Sequence, residues 1–172
     1  MKFNKAIKNL FIVLFSTLLI SACSTAKKAN VDTANDVYTG TDTVEFLAKG
    51  VPDRIFFATN ASKLTTASRD TLRKQATWMR KNKDVTVTVE GHADERGTRE
   101  YNLALGERRA NAAKDYLMTY GVSGKRISVI SYGKERPVNP ANSPLAWSQN
   151  RRSVTVKAVS YTHLTLPTIY SV

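Results

Sequence analysis

The sequence has few of the residues that build a disulfide framework or a metal centre. It contains one cysteine, Cys23, and two histidines among 172 residues. A single cysteine cannot form an internal disulfide, and two histidines provide little for a zinc site. The motifs G-x-S-x-G and H-E-x-x-H are also absent, which removes common patterns of serine hydrolases and zinc proteases. The chain is therefore not expected to be an enzyme, and no cofactor or metal is predicted.

Long apolar runs are scarce as well, and the clearest one lies at the N-terminus. Residues 10 to 20 are apolar except for Ser16 and Thr17, and three lysines precede them. A membrane-spanning helix needs about twenty apolar residues, whereas a short run behind a basic segment is typical of a secretory signal. Residues 1 to 22 are therefore predicted to be a signal peptide rather than a transmembrane anchor.

The predicted signal ends in "ISAC". Small residues directly before a cysteine resemble the site where bacterial lipoproteins are cleaved and acylated. Cleavage between Ala22 and Cys23 would leave Cys23 as the lipidated first residue, and two or more acyl chains would anchor it durably. Ser24 follows at the position where an aspartate would resemble the signal for inner-membrane retention. We therefore predict an outer-membrane lipoprotein that faces the periplasm.

Acidic residues are outnumbered by basic ones. The chain has 14 Asp and Glu against 26 Lys and Arg, a net charge of +12, and loss of the three signal lysines would leave +9. In the cell envelope the abundant polyanions are lipid headgroups and the cell-wall polymer, to which a basic protein is attracted. An exported protein meets little nucleic acid, so no nucleic-acid partner is predicted.

The composition divides the processed chain into three parts. Residues 23 to 50 are predicted to be the lipidated N-terminus and a flexible tether, because they are rich in Ser, Thr, Asn, Asp and Lys. Residues 51 to 158 have the size of one domain. Residues 159 to 172 carry no charge and read like a translated sequencing adapter, so they are left out of the predicted fold. A C-terminal strand containing Leu164, Leu166 and Ile169 is the alternative for this tail.

Strand and helix patterns alternate through residues 51 to 158. Strands are predicted at "RIFFAT", "DVTVTVEG", "RISVISYG" and "RRSVTVKA". One helix is predicted to open after Thr65 or Thr66, and a second to run from about Thr98 to Tyr120 and stop at Gly121. This order predicts an α/β sandwich of the form βαβαβ(β), with the helices packed on a mixed sheet.

A dense charge cluster follows the second predicted strand. "GHADERGTREYNLALGERRA", residues 91 to 110, contains nine Asp, Glu, Arg and His side chains. It spans a junction from strand to helix, which is where α/β folds place ligands. At about 100° per residue, Asn102, Leu105 and Arg109 share one flank of the core-facing stripe, whereas Arg108 points to solvent. A guanidinium at the edge of the core is costly unless an anionic group pairs with it, so such a partner is expected for Arg109.

The pattern alone leaves several interpretations of this junction open. An internal ion pair from Arg109 to Asp94 or Glu90 fits it as well as a ligand site does. A metal site of His92, Asp94 and Glu95 is less favoured, because hard-metal loops use more oxygen ligands at fixed spacing. An acid-base pair of Asp94 and Glu95 is also disfavoured, since adjacent loop carboxylates rarely face one substrate bond. An envelope hydrolase using His92, Asp94 or Glu95 would need a nucleophile or metal that the sequence does not offer.

Three stretches resemble one known family: "VTVEGHADERGTREYNLALGERRANAAKDYL", "ISYGKERP" and "NRRSVTV". They are similar to the peptidoglycan-associated lipoproteins of Gram-negative bacteria, whose domain also occurs at the C-terminus of outer-membrane protein A. The resemblance covers about residues 52 to 158. It implies non-covalent binding of peptidoglycan through the diaminopimelate of the stem peptide. It also implies a second partner, the β-propeller protein TolB of the Tol system, and a role in envelope integrity and cell division.

The resemblance also implies which residues contact diaminopimelate, a zwitterion that needs both an anion and a cation. Asp94 would accept hydrogen bonds from the ammonium group, and Arg109 would clamp a carboxylate in bidentate fashion. Leu105 would line the methylene groups. The loop after the first strand contributes Thr59 and Asn60.

The same motifs bear on Asn60 and on three further positions. Asn60 departs from the family pattern, because many members carry an aspartate there, and its contact loses that charge. Asn102 is expected to orient the site. Asn150 and Arg151 of the "NRR" stretch are assigned to packing near the site.

Overall fold

The structure is a computed structural model that describes residues 31–32 and 36–158. The predicted signal peptide, Cys23 and the uncharged tail lie outside the described residues. The elements are β1 (Val31–Asp32), β2 (Val37–Tyr38), β3 (Phe46–Ala48), β4 (Val51–Pro52), β5 (Arg54–Phe56), α1 (Thr66–Lys81), β6 (Val87–His92), α2 (Arg99–Thr119), a 3₁₀ turn (Gly124–Arg126), β7 (Ile127–Gly133), α3 (Pro144–Asn150) and β8 (Arg152–Lys157). None of these helices is long and apolar enough to cross a membrane.

Four of the strands form one mixed sheet in the order β5-β8-β6-β7. Strand β8 pairs antiparallel with both β5 and β6, and β6 pairs parallel with β7. Strands β5 and β6 therefore point the same way, and their carboxyl ends lie at the same edge of the sheet. This arrangement confirms the predicted α/β fold with helices on a mixed sheet.

Helices α1 and α2 cover one face of the sheet and form the main core with it. The buried side chains of β6 on this face are Val87 and Val89, as the alternation predicts. The remaining buried members are Ile55, Phe57, Leu72, Ala76, Met79, Ala110, Ala113, Leu117, Val122 and Ile127. Full burial of such aliphatic or aromatic side chains contributes about 1.5–3 kcal/mol each, so this core positions the loops that follow β5 and β6.

The helix ends agree with the sequence patterns. The Thr65 hydroxyl accepts a hydrogen bond from the Ser68 amide at 3.1 Å and caps α1. The Thr98 hydroxyl accepts from the Tyr101 amide at 3.2 Å and caps α2. Gly121, with φ of 83°, supplies the left-handed residue after α2.

Helix α2 lies unusually close to β6 at two glycines. A Cβ added to Gly91 would lie 1.8 Å from the backbone oxygen of Gly106. No side chain fits between these backbones, so the glycine pair sets the separation of helix and strand. The loop after β6 and the first turns of α2 are consequently held together.

The structure corrects the predicted boundary of the flexible tether. Val37, Tyr38 and Leu47 are buried, and the Tyr38 ring packs edge-on against Phe56 with centroids 4.7 Å apart. The chain from residue 36 to 50 therefore packs on the domain instead of forming a coil. Its apolar residues are too widely separated to show a period, which is why composition suggested a tether.

Two element boundaries also differ from expectation. Strand β5 ends at Phe56 rather than near Thr59, which leaves residues 57 to 60 free to form a loop. Residues 144 to 150, for which no helix or strand was predicted, form the short helix α3, with Ser143 as its cap and Pro144 at its first position. Both differences bring side chains to the sheet edge described next.

Candidate functional site

The loops after β5 and β6 meet the start of α2 at one edge of the sheet. They enclose a pocket of about 290 Å³, here called the loop pocket. Its lining residues are Thr59, Asn60, Asp94, Arg96, Gly97, Tyr101, Asn102 and Leu105. The structure thus brings together five of the six residues predicted to bind the ligand. The sixth, Arg109, is not in the lining.

Asp94 is the buried anion of the loop pocket, 7% exposed. Its Oδ1 accepts from the backbone amide and the Nε of Arg96, both at 3.1 Å. Its Oδ2 accepts from Arg96 Nη2 at 2.7 Å and from Arg151 Nη1 at 3.3 Å. Burial opposes ionisation of Asp94, but the hydrogen bonds and charge of the two arginines outweigh it and hold the pKa below its ordinary value. The carboxylate is therefore charged at neutral pH.

Arg109 is fully buried and is satisfied by the backbone. It donates from Nε to the Ala61 carbonyl at 2.8 Å, from Nη1 to the His92 carbonyl at 2.8 Å and from Nη2 to the Ala58 carbonyl at 3.1 Å. These bonds tie the loop after β5 to the end of β6. Burial, followed by repulsion from Arg151, lowers the pKa of Arg109 to about 10.

Arg109 has no anionic partner among the residues that the structure describes. Within the described residues no carboxylate lies within ion-pair distance of its guanidinium, so the internal pair with Asp94 or Glu90 does not form. An anionic partner is not needed either, because three carbonyl oxygens replace it. Carbonyl partners carry no sequence signature, since every residue has one.

Arg96 and Trp147 are components of the site that sequence reasoning missed. The Arg96 side chain is 43% exposed, and its guanidinium lies 4.4 Å from the Trp147 ring centroid. The indole Nε1 of Trp147 donates to Glu95 Oε1 at 2.8 Å. Arg96 belongs to the charge cluster, but no periodicity separates it from its charged neighbours. Trp147 lies on α3, a helix that was not predicted.

The polar residues around the pocket have distinct contacts. Asn102 Nδ2 donates to the carbonyls of Arg96 and Thr98 at 2.8 and 3.0 Å, so this side chain shapes the loop. Asn60 has φ of 55°, and its Oδ1 accepts from the Tyr101 hydroxyl. The Thr59 hydroxyl donates to Asp36.

Of the "NRR" residues, Asn150 packs near the site and Arg151 enters it. The Asn150 Oδ1 accepts from the amides of Val138 and Asn139 at 2.8 and 3.0 Å, which fastens the loop before α3. Arg151 is 1% exposed and contacts Asp94 directly. The predicted packing role is therefore incomplete for Arg151, because its side chain is part of the site.

His92 is buried and does not join Asp94 in a metal site. Among residues 31–32 and 36–158, no three His, Cys, Asp or Glu side chains are placed to hold a metal ion. Neither ring nitrogen of His92 has a hydrogen-bond partner there. Burial lowers its pKa to about 3, with smaller contributions from the positive charges of Arg152, Arg136 and Arg54. His92 is thus neutral in the folded chain.

This buried histidine predicts a loss of stability in mild acid. Its pKa falls from 6.5 to about 3 on folding, so the unfolded chain binds the extra proton. Above about pH 6.5, the protonation of His92 takes nothing from the free energy of unfolding. As the pH drops below that value, the free energy of unfolding falls, by about 2 kcal/mol between pH 7.5 and pH 5. Urea unfolding at both pH values should show this drop in the natural chain and a much smaller one in His92→Gln. Equal pH dependence in both proteins would contradict the assignment.

Comparison with known proteins places the chain in a family. The OmpA family matches residues 56–151. A peptidoglycan-associated lipoprotein of Brucella melitensis is 45% identical over 150 residues, 84% of this chain and 89% of the relative. One of Rhizobium meliloti is 46% identical over 149 residues, 84% of this chain and 85% of the relative.

One solved structure agrees with this assignment, and a second supports the fold. The peptidoglycan-associated lipoprotein of Burkholderia pseudomallei superimposes with a TM-score of 0.60 at 32% identity, over 62% of this chain and 90% of that one. A C-terminal domain of Helicobacter pylori MotB has a TM-score of 0.59 at 22% identity over 63% of this chain and 86% of that one, which supports the fold alone. The chain belongs to the OmpA family and, within it, to the peptidoglycan-associated lipoproteins.

Proposed function

We propose that this chain binds peptidoglycan non-covalently through the diaminopimelate of the stem peptide. The single observation that carries the proposal is the Asp94 carboxylate, which is charged, 7% exposed and part of a pocket open to solvent. A buried anion of this kind favours a cationic ligand group, and the ammonium of diaminopimelate is one. The relatives are named for their association with peptidoglycan.

The ammonium would bind Asp94 by displacing Arg96. Both carboxylate oxygens already accept hydrogen bonds, and Arg96 side-chain groups supply two of them, at 3.1 and 2.7 Å. The Arg96 side chain is 43% exposed, so it can leave without opening the core. Its guanidinium already lies 4.4 Å from the Trp147 ring centroid, and this contact would hold the side chain once it leaves Asp94.

The carboxylate end of the ligand would lie on the cationic side of the pocket. A bidentate clamp by Arg109 requires a shift of the loop after β5, because Arg109 is fully covered and three of its five N–H groups bind carbonyls. We propose that Arg109 holds the loops after β5 and β6 together and places positive charge beneath the pocket. Arg96, once displaced, supplies the exposed cation, and Leu105 supports the methylene groups.

Sedimentation with purified sacculi tests this function. The full-length chain should sediment with sacculi and return to the supernatant when free diaminopimelate is added in excess. Lysine in equal excess is the control, because it keeps both ammonium groups of diaminopimelate but lacks one of its two carboxylates. Failure to sediment, or sedimentation that diaminopimelate does not reduce, would contradict the proposal.

We further propose that Cys23 carries the lipid that attaches the chain to the outer membrane, facing the periplasm. The chain would then connect outer membrane and cell wall, with the Tol-system protein TolB as second partner and a role in envelope integrity and division. Support comes from the "ISAC" ending and from the relatives, which are named lipoproteins. We propose binding without catalysis, since no observation favours hydrolysis.

Substitution of the lipidated residue should release the protein from the membrane. In Cys23→Ser the acyl acceptor is gone, so the chain should lose the added lipid mass and leave the outer-membrane fraction. Mass spectrometry and membrane fractionation measure both properties, with Ser24→Ala as the matched control. A Cys23→Ser protein with unchanged mass shift and fractionation would contradict lipidation at this residue.

A further inference from the structure

Asp36, which directly precedes β2, contacts a residue that lines the loop pocket. Its Oδ2 accepts from the Thr59 hydroxyl, and its Oδ1 lies 2.9 Å from Arg151 Nη2. The backbone oxygen of Asp36 accepts from the same guanidinium. Its side chain remains 46% exposed. Asp36 therefore lies beside the candidate site.

The two residues next to Thr59 in space or in sequence, Asp36 and Asn60, also share an uncommon backbone conformation. In the described part of the chain, Asp36 and Asn60 are the non-glycine residues with positive φ, at 52° and 55°. Asparagine and aspartate tolerate this conformation better than other residues, yet it is uncommon. Such strain persists where surrounding contacts enforce it and tends to cluster at functional sites. Asn60 lines the loop pocket next to Thr59, and the Asp36 side chain accepts a hydrogen bond from the Thr59 hydroxyl.

Arg151 lies between two carboxylates, that of Asp36 before β2 and that of Asp94 in the loop pocket. Arg151 is 1% exposed, and its guanidinium lies 2.9 Å from Asp36 and 3.3 Å from Asp94. Without Asp36, the buried cation would be neutralised by Asp94 alone. An incoming ammonium would then have to share one carboxylate with Arg151. With Asp36 present, Arg151 and the ligand ammonium each have a carboxylate to pair with.

We infer that Asp36 is a further positioning residue of this site: by pairing with Arg151 it leaves the charge of Asp94 available to the ligand ammonium. The inference rests on the proposed function. Because Asp36 is in place only when residues 36 to 38 are docked, docking of this segment and binding of the ligand strengthen each other. Thermodynamic linkage makes this coupling equal in both directions. A force that displaces residues 36 to 38 and separates Asp36 from Arg151 would consequently lower the affinity for peptidoglycan.

Two ligands and two variants test the inference. The ligands are a muropeptide containing diaminopimelate and the same muropeptide with its side-chain amine acetylated. The variants are Asp36→Asn and, as a matched loss of one charge, Asp84→Asn in the exposed turn after α1. Asp36→Asn should bind the amine-bearing muropeptide about tenfold more weakly than the natural chain does, within the usual range of site coupling. Its affinity for the acetylated muropeptide should equal that of the natural chain. Asp84→Asn should match it for both.

Hydrogen exchange gives an independent readout. Addition of the amine-bearing muropeptide should slow amide exchange at Val37 and Tyr38 in the natural chain but not in Asp36→Asn. Unchanged exchange, unchanged affinity of Asp36→Asn, or equal losses for both muropeptides would overturn the inference alone. A natural chain that binds neither muropeptide would overturn the proposed function and this inference with it.

Discussion

Arg109→Ala is expected to lower the free energy of unfolding by about 3 kcal/mol or more, because one buried and two partly buried backbone carbonyls lose a charged donor. The adjacent Arg108→Ala should change it by less than about 0.5 kcal/mol, since Arg108 is exposed. Urea unfolding of both variants measures the difference. Sacculus binding by Arg109→Ala should also fall, because the loop after β5 is released from β6.

The alternative outcome for Arg109 is equally clear. If Arg109 serves only as a carboxylate clamp, Arg109→Ala will unfold at the same urea concentration as the natural chain and still fail to bind sacculi. That result would contradict the holding role assigned here. Arg109→Lys adds a second check, because one ammonium cannot reach all three carbonyls and should recover only part of the stability.

Asp94→Asn should cause the largest loss of binding. Removing one side of a buried, hydrogen-bonded charge pair costs about 2–5 kcal/mol, roughly a thirty- to several-thousand-fold loss in affinity. The asparagine keeps the shape of the side chain, so the loop can keep its course. Calorimetric titration with the muropeptide measures the affinity, and Glu100→Gln, an exposed site in the first turn of α2, is the matched control.

Thermal melts must accompany that titration. Asp94 also balances the buried Arg151, so some stability will be lost with its charge. A folded Asp94→Asn protein with normal affinity would place the ammonium site elsewhere. A variant whose affinity falls only in proportion to its unfolded fraction would make Asp94 a structural residue.

The fold could be predicted because its signals are local. The alternation of Val87 and Val89, the threonine caps at Thr65 and Thr98 and the glycine after α2 each act within a few residues. The helical wheel likewise separated buried Arg109 from exposed Arg108. Such features decide element type and buried face before any tertiary contact forms.

The contacts of the site could not be predicted because their partners are distant in sequence. Asp36 and Arg151 are 115 residues apart, and Arg151 and Asp94 are 57 apart. The wheel placed Arg109 at the edge of the core but could not indicate that carbonyls of two loops would satisfy it. Arg96 and Trp147 meet only because the short helix α3 packs beside the loop after β6.

The most direct test of the diaminopimelate site is a crystal structure of the chain with the amine-bearing muropeptide bound. We predict that the ligand ammonium lies within hydrogen-bond distance of the Asp94 carboxylate and that the Arg96 side chain has left it. A ligand carboxylate should lie on the cationic side of the pocket, with the methylene groups over Leu105. A muropeptide bound outside the loop pocket, or bound there with Arg96 still paired to Asp94, would contradict the proposed site.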